Sequence, residues 1–283
     1  LKLSDFFRNR TLLLASRHGK EEVIIPTIQP ITGIIPFIPE DFDSDAFGTF
    51  SGEVERKHGP LETLRKKCEA AMRQYNMDLA IASEGSFGPH PHYPFLTADE
   101  EWLMLKDEKI GLEIIAREIS LETNYAAREI ASETALLEFA AETGFPEHGL
   151  MLRSGEGRQE KIIKGIRSQE GLLKVHREWR SSAEIIRAET DMRAMMNPSR
   201  MKVIAKAALR LREKLLSLCP SCKTPGYEVL EAEAGLPCSG CGRPGKEILR
   251  LHYACKKCGH REERGNPEGK SWGDPACCDF CNP

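Results

Sequence analysis

The sequence predicts an α/β fold, a mostly parallel or mixed sheet with flanking helices, followed by a C-terminal tandem zinc-ribbon module. Two observations predict the first part. Short apolar, β-branched runs alternate with segments of helical period, and several of those runs end in polar, Gly-containing turns. One observation predicts the second. Nine of the ten cysteines lie in the tail, as CPSC, CSGC, CKKC and CCDFC between Cys219 and Cys281.

Residues 11–16 (TLLLAS) form an apolar run expected as a buried first strand, followed by the turn Arg17-His18-Gly19-Lys20. Residues 21–25 predict a short helical stretch ending before Pro26. Residues 34–38 predict a second strand, and an acidic loop follows over 41–55 (DFDSDAFGTFSGEVE). Residues 60–76 predict a helix: Pro60 suits its first turn, and Leu61, Leu64, Cys68, Ala71, Met72 and Tyr75 share one face. Residues 79–82 predict a short strand and 83–91 (SEGSFGPHP) a loop after it. A strand pair over 101–105 and 112–120, a helix over 126–143 closed by Gly144, and a strand over 149–153 complete the first half. From 159 to 217 the pattern is helical almost throughout, broken where Asn197 can cap a helix that opens with Pro198. In the tail, 227–232 and 247–253 predict strands. The expected division is an α/β domain over 1–157, a basic helical segment over 158–218 packing on it, and the cysteine module over 219–283.

Composition and charge narrow the function classes. The chain has 283 residues and a net charge of −3. No apolar run approaches the roughly 18 residues that a membrane span needs, and the first residues show no signal-peptide pattern. A cytoplasmic protein without a membrane partner is expected. Residues 158–214 carry fifteen Lys/Arg against seven Asp/Glu, whereas 215–283 carry nine of each. The front is therefore acidic and the middle basic. That suits charge complementarity within the fold, a groove for a phosphate ligand, or a solvated helical face.

Paired cysteines in such a chain point to thiolate metal ligands rather than disulfides. Zinc takes four soft ligands in a tetrahedron, and a CxxC turn offers two from one knuckle. The expected ligands are Cys219, Cys222, Cys238, Cys241, Cys255, Cys258, Cys278 and Cys281. Successive knuckles are expected to pair, the first with the second and the third with the fourth. Pairing of the second with the third and the first with the fourth stays open. Cys278 is preferred over Cys277 because only it has CxxC spacing to Cys281. Four-thiolate sites have no open position, which makes them structural.

Three polar stretches carry candidate chemistry. The turn after the first strand offers Ser16, His18 and Lys20 to a phosphate. The acidic loop offers Asp43 and Asp45, which could hold magnesium beside a nucleotide but do not match a calcium loop. The third stretch offers Ser83, Glu84, Ser86 and His90, with Glu84 as metal ligand or base. Arg193 and Arg200 flank the Asn-Pro break and could clamp a phosphate or carboxylate. The tail is expected to stabilise or cover these loops.

Two resemblances add to this. HGKE at His18–Glu21, GTFSGEVER at 48–56, ASEGSFGPHP at 82–91, DMRAMMNPSRM at 191–201 and the ending CDFCNP resemble an uncharacterised bacterial family, catalogued as domain of unknown function 6671, which implies no activity. Residues 11–120 also resemble the inosine/xanthosine triphosphate pyrophosphatases. Ser16 to Lys20 stands for their Ser/Thr–Asn–Lys turn, Glu62-Thr63 with residues 68–71 for their helix, and Ala82-Ser83-Glu84-Gly85 for their acidic-Gly strand end. The turn here is one residue shorter, with His18 in place of Asn. This resemblance implies magnesium-dependent cleavage of a nucleoside triphosphate, with Lys20 gripping phosphate and Glu84, Asp43 and Asp45 holding the metal. The competing expectation is a zinc-ribbon module that binds nucleic acid or protein without catalysis.

Overall fold

The computed structural model describes residues 2–47, 58–155, 160–181 and 185–283. The fold is mixed α/β, with two sheets flanked by helices and a three-stranded cysteine-bearing tail.

The first sheet has the order β2-β1-β3-β4-β5. It is built from β1 (Thr11–Ala15), β2 (Ile35–Phe37), β3 (Leu79–Pro89), β4 (Thr97–Asp107) and β5 (Leu112–Ser120). β1 pairs in parallel with β2 and β3, while β3, β4 and β5 form an antiparallel meander. The sheet is therefore mixed rather than mostly parallel. Alternation sorts its side chains by face. Leu12, Leu14, Leu79, Ile81, Leu103 and Leu105 face α2 (Glu21–Thr32) and α6 (Pro198–Leu216). Leu13, Ala15, Ala80, Ala82 and Met104 face α3 (Pro60–Tyr75), whose buried stripe includes Leu64, Cys68, Ala71 and Met72.

Several expectations need correction. α2 runs through Pro26 and Pro30 to Thr32, because Ile24, Ile25 and Ile28 bury against the first core and outweigh the backbone bonds that two prolines remove. Residues 83–89 are strand, not loop: β3 keeps pairing with β4 over its full length, up to Pro89 opposite Thr97. The basic stretch is not helical throughout. It contains β8 (Lys161–Ile166), α5 (Gln169–Arg180) and β9 (Ile186–Thr190) before α6. These belong to a second, antiparallel sheet of order β6-β9-β7-β8, in which β6 is Ala127–Glu129 and β7 is Leu150–Ser154. The helix expected over 126–143 shrinks to α4 (Glu133–Glu142), capped by Ser132. α4 and α5 cover the second core, around Phe139, Leu152 and Leu172.

The basic middle meets the acidic front in ion pairs. Arg177 pairs with Glu133, Arg200 with Glu101, Lys206 with Glu122 and Arg210 with Glu118. Part of the charge asymmetry is thus internal complementarity between segments distant in sequence.

The segment 191–200 joins the two sheets. Asn197 caps α6 by accepting from Arg200 N at 3.0 Å, and its Nδ2 donates to Asn124 Oδ1 at 2.8 Å. Gly149 N donates to Met196 O at 2.8 Å, and the His148 ring lies 2.9 Å from Ser199 Oγ. Replacing Asn197 with Ala should cost about 1–2 kcal/mol of stability, since it removes a buried cap and the bond to Asn124 in the β5–β6 link together. Urea unfolding midpoints of the two proteins check this.

Candidate functional site: a buried charged cluster at the end of β1 and two four-cysteine clusters

β1 ends at Ala15, while its neighbour β3 continues to Pro89. The parallel pairing stops at Ala15–Ala82, and buried polar groups gather beyond the carboxyl end of β1, as they do in other α/β proteins. His18 and Gly19 turn the chain with φ of 73° and 77°, delivering Lys20 to the start of α2. Lys20 is only 6 % exposed. Its Nζ donates to Ser83 Oγ at 2.7 Å and lies 4.0 Å from Glu101 Oε2. Ser16 Oγ is 3.1 Å from Ser83 Oγ. From the other face, Lys67 on α3 donates to Glu84 Oε2 at 2.5 Å and to Ser83 O at 3.5 Å.

Arg200 enters from the first turn of α6, fully buried, and its Nε donates to Glu101 Oε1 at 2.6 Å. A second guanidinium nitrogen donates to Met192 O, and the guanidinium lies 5.1 Å from the centre of the Phe87 ring. Gly85 makes this crossing possible. It sits opposite Glu101 in the ladder, and a Cβ there would stand 2.4 Å from Glu101 Oε1 and 2.6 Å from Arg200 Nη2. The close approach that this glycine permits is to an ion pair.

Three cations and three carboxylates, all buried, thus flank the end of β1: Lys20 and Arg200 with Asp99 and Glu101 on the α2/α6 face, and Lys67 with Glu84 on the α3 face. Burial pulls the Lys20 ammonium down to about 8, helped by the Arg200 charge and opposed by Glu101. Burial pushes the Asp99 carboxyl up to about 8, with Glu101 adding to the shift and Arg200 and Lys20 opposing it.

Ser16, Lys20, Ser83, Glu84 and Arg200 are therefore brought together. His18 lies in the same turn, half-buried. Other candidates lie elsewhere. Ser86 Oγ donates to Glu100 at 3.3 Å. His90 sits in the β3–β4 turn, where it stacks on Tyr93 with ring centres 5.2 Å apart. Arg193 is bidentate to Asp191, with Nη2–Oδ2 at 2.6 Å and Nε–Oδ1 at 3.0 Å, so the two arginines do not form a common clamp. Asp43 is exposed, 3.7 Å from Arg17. The Asp45 side chain and the 48–56 motif lie outside the described residues.

Lys67, Asp99 and Glu101 were not anticipated. Lys67 interrupts the apolar stripe of α3 beside Cys68, and Asp99 and Glu101 continue the alternation of Leu103 and Leu105 into the buried face. A charge at a core register was the available signal.

In the tail, β10 (Glu228–Ala234), β11 (Ile248–Ala254) and β12 (Arg261–Gly265) form one antiparallel sheet. The eight expected cysteines form two clusters: Cys219, Cys222, Cys255 and Cys258, then Cys238, Cys241, Cys278 and Cys281. Cys278, not Cys277, is the member. The pairing is first with third and second with fourth, which corrects the successive pairing and excludes the other pairing left open. Strand direction is the reason. β10 starts beside the end of β11, with Glu228 opposite Ala254, so the knuckles before β10 and after β11 share one end. The second knuckle lies in the turn at the other end, to which β12 leads the fourth. Seven-residue strands keep the ends about 20 Å apart.

In each cluster, paired sulfurs such as Cys219–Cys258 and Cys238–Cys281 lie 3.7 Å apart. That is far beyond a disulfide bond and close to the roughly 3.8 Å edge of a tetrahedron whose metal–sulfur bonds are about 2.3 Å. The clusters can hold two metal ions in closed four-thiolate sites.

The tail does not cover the polar cluster. It grips the far end of α6, where Gly226 N donates to Lys214 O at 3.1 Å, and the β4–β5 turn, where Lys257 Nζ donates to Ile110 O at 2.7 Å. Along α6, Arg200 and Lys214 are about 21 Å apart.

A model of the family described as a domain of unknown function (DUF6671) matches residues 67–283, and the chain belongs to that family. No curated protein sequence matches it. Among solved structures, the crystal structure of protein VC0702 from Vibrio cholerae is similar at a TM-score of 0.32 and 8% identity, over 74% of this chain and 96% of that one. No helix among the described residues is long and apolar enough to cross a membrane.

Two measurements check the site. The pH dependence of stability has a definite sign. Asp99 binds its proton more tightly in the folded chain, so its contribution declines as pH rises from about 4 to about 8. Lys20 binds its proton less tightly when folded, so its contribution improves from about 8 to about 10.5. The advantage of Asp99→Asn over wild type in urea should therefore widen between pH 5 and pH 8. In the tail, the double variant Cys222→Ser/Cys258→Ser should lose one metal ion per chain by elemental analysis, whereas Cys222→Ser/Cys241→Ser should lose both. Successive pairing would give the reverse.

Proposed function

We propose that this is a phosphate-ligand-processing α/β protein, with a nucleoside triphosphate as the best-fitting substrate and two structural zinc ions in its tail. The observation that carries this is the polar cluster beyond the end of β1. There a buried lysine at the start of a helix donates to Ser83 Oγ, which in turn meets Ser16 Oγ. Lys20 Nζ would take phosphate oxygens at the start of α2, where the helix dipole favours an anion. The likeness of residues 11–120 to the triphosphate pyrophosphatases supports the same assignment for Ser16, Lys20, Ser83 and Glu84. A bound divalent ion would supply an activated water and neutralise developing charge. Thiolate clusters without disulfides fit a reducing compartment, the cytoplasm.

The alternative, nucleic-acid binding without catalysis, draws on the basic middle. Arg177, Arg200, Lys206 and Arg210 there are committed to carboxylates of this chain, which leaves less charge for a phosphate backbone.

The test is a panel of nucleoside triphosphates with Mg²⁺ and Mn²⁺, following release of phosphate and pyrophosphate. Wild type should turn over at least one class, and Lys20→Ala should lower kcat/KM by about a hundredfold or more. No turnover across the panel, together with no thermal stabilisation by triphosphate or phosphate, would remove this reading.

A further inference from the structure

We propose that Asp99 and Glu101 form a divalent-cation site on β4, of the hard, oxygen-ligated kind that takes Mg²⁺ or Mn²⁺. Neither resemblance nor motif pointed to these residues. Asp99 is 1 % exposed, and neither of its carboxylate oxygens meets a hydrogen-bond donor among the described residues. The same holds for Glu101 Oε2, whose partner oxygen is engaged by Arg200 Nε at 2.6 Å. Three buried acceptors are therefore left facing the interior. Buried carboxylate oxygens are ordinarily satisfied, and leaving them bare costs stability.

The two residues are next but one on a strand, so their side chains leave the same face about 7 Å apart at the backbone. That spacing lets two carboxylates converge on a single ion. The nearest ammonium, Lys20 Nζ, donates to Ser83 Oγ and forms an ion pair with Glu101 Oε2 that at 4.0 Å is too long for a hydrogen bond. A single water carries two hydrogens and leaves an acceptor over, and a proton held by Asp99 leaves its other oxygen bare; a divalent ion would displace that proton, satisfy oxygens of both carboxylates and compensate their charge. Ser120 stands opposite Asp99 on β5, with its Oγ accepting from Glu122 N at 3.1 Å, a further oxygen beside the site. The ion belongs on the α2/α6 face with Lys20, and not with Asp43 or with Glu84, which is held by Lys67. The cation site stands apart from the phosphate assignment, although a phosphate gripped by Lys20 would lie within reach of the same ion.

The experiment uses the full chain with both cysteine clusters metal-loaded and no nucleotide. Mn²⁺ is titrated, bound ion is counted by electron paramagnetic resonance, and melting is followed in parallel, with Mg²⁺ as competitor. Wild type should bind one Mn²⁺ per chain, released by Mg²⁺, with a rise in melting temperature. Asp99→Asn should be the more stable protein without the ion, and should bind Mn²⁺ about a hundredfold more weakly or worse. Asp99→Ser, which keeps only a small hydroxyl, gives the same reading if the amide is not tolerated. No Mn²⁺ bound by wild type, or wild-type affinity in either variant, overturns the proposal. Mn²⁺ binding lost in the variants but no triphosphate turnover sinks the phosphate reading alone. Turnover in a chain that binds no Mn²⁺ sinks the cation site alone.

Discussion

The ion pair between Arg200 and Glu101 is the contact on which the arrangement depends. Both partners are 1 % exposed, so each charge is tolerable only because the other is there. The pair binds the first turn of α6 to the middle of β4. It requires a glycine at position 85 and brings the Met192 carbonyl into the same network. Removing either partner alone would strand a buried charge, a loss of about 3–5 kcal/mol. The 191–200 segment is thus more than a joint between two sheets. It fixes where the sheets meet and which charged groups surround the end of β1.

A cluster of six buried charges is a poor way to gain stability. Apolar side chains of similar size would hold the same elements together at lower cost. Lys20 and Asp99 in particular sit where burial shifts both toward their neutral forms. Groups kept under such tension are found more often where a protein does something with charge than where it only packs.

The strands and helices of the first sheet were largely legible, because Leu12 to Ala15, the stripe of α3 and the β4–β5 pair each carry the period of their element. The Asn197–Pro198 helix start was legible from capping chemistry alone. Three things were not. Polar residues 83–89 look like loop in isolation and are strand because β4 pairs with them. Residues 161–166 and 186–190 are edge-like and half polar, so their strand character comes from β7 between them. The partners of Ser83 and Arg200 come from α2, α3 and β4, and no local pattern announces such a meeting. The eight thiolates were evident from spacing, but their grouping was not, since it follows from the direction of β11 relative to β10 and β12.

That grouping has a consequence for how the tail acquires its structure. Cys219 and Cys258 are separated by 39 positions and Cys238 and Cys281 by 43, and the two spans overlap. Neither site can be completed by a contiguous half of the tail, so the module has no separable ribbons that mature one after the other. Closing one site aligns β10 with β11, which brings the second and fourth knuckles toward their own ion. The two clusters are linked through a shared sheet rather than through contact, so an ion taken up at one would help to order the other.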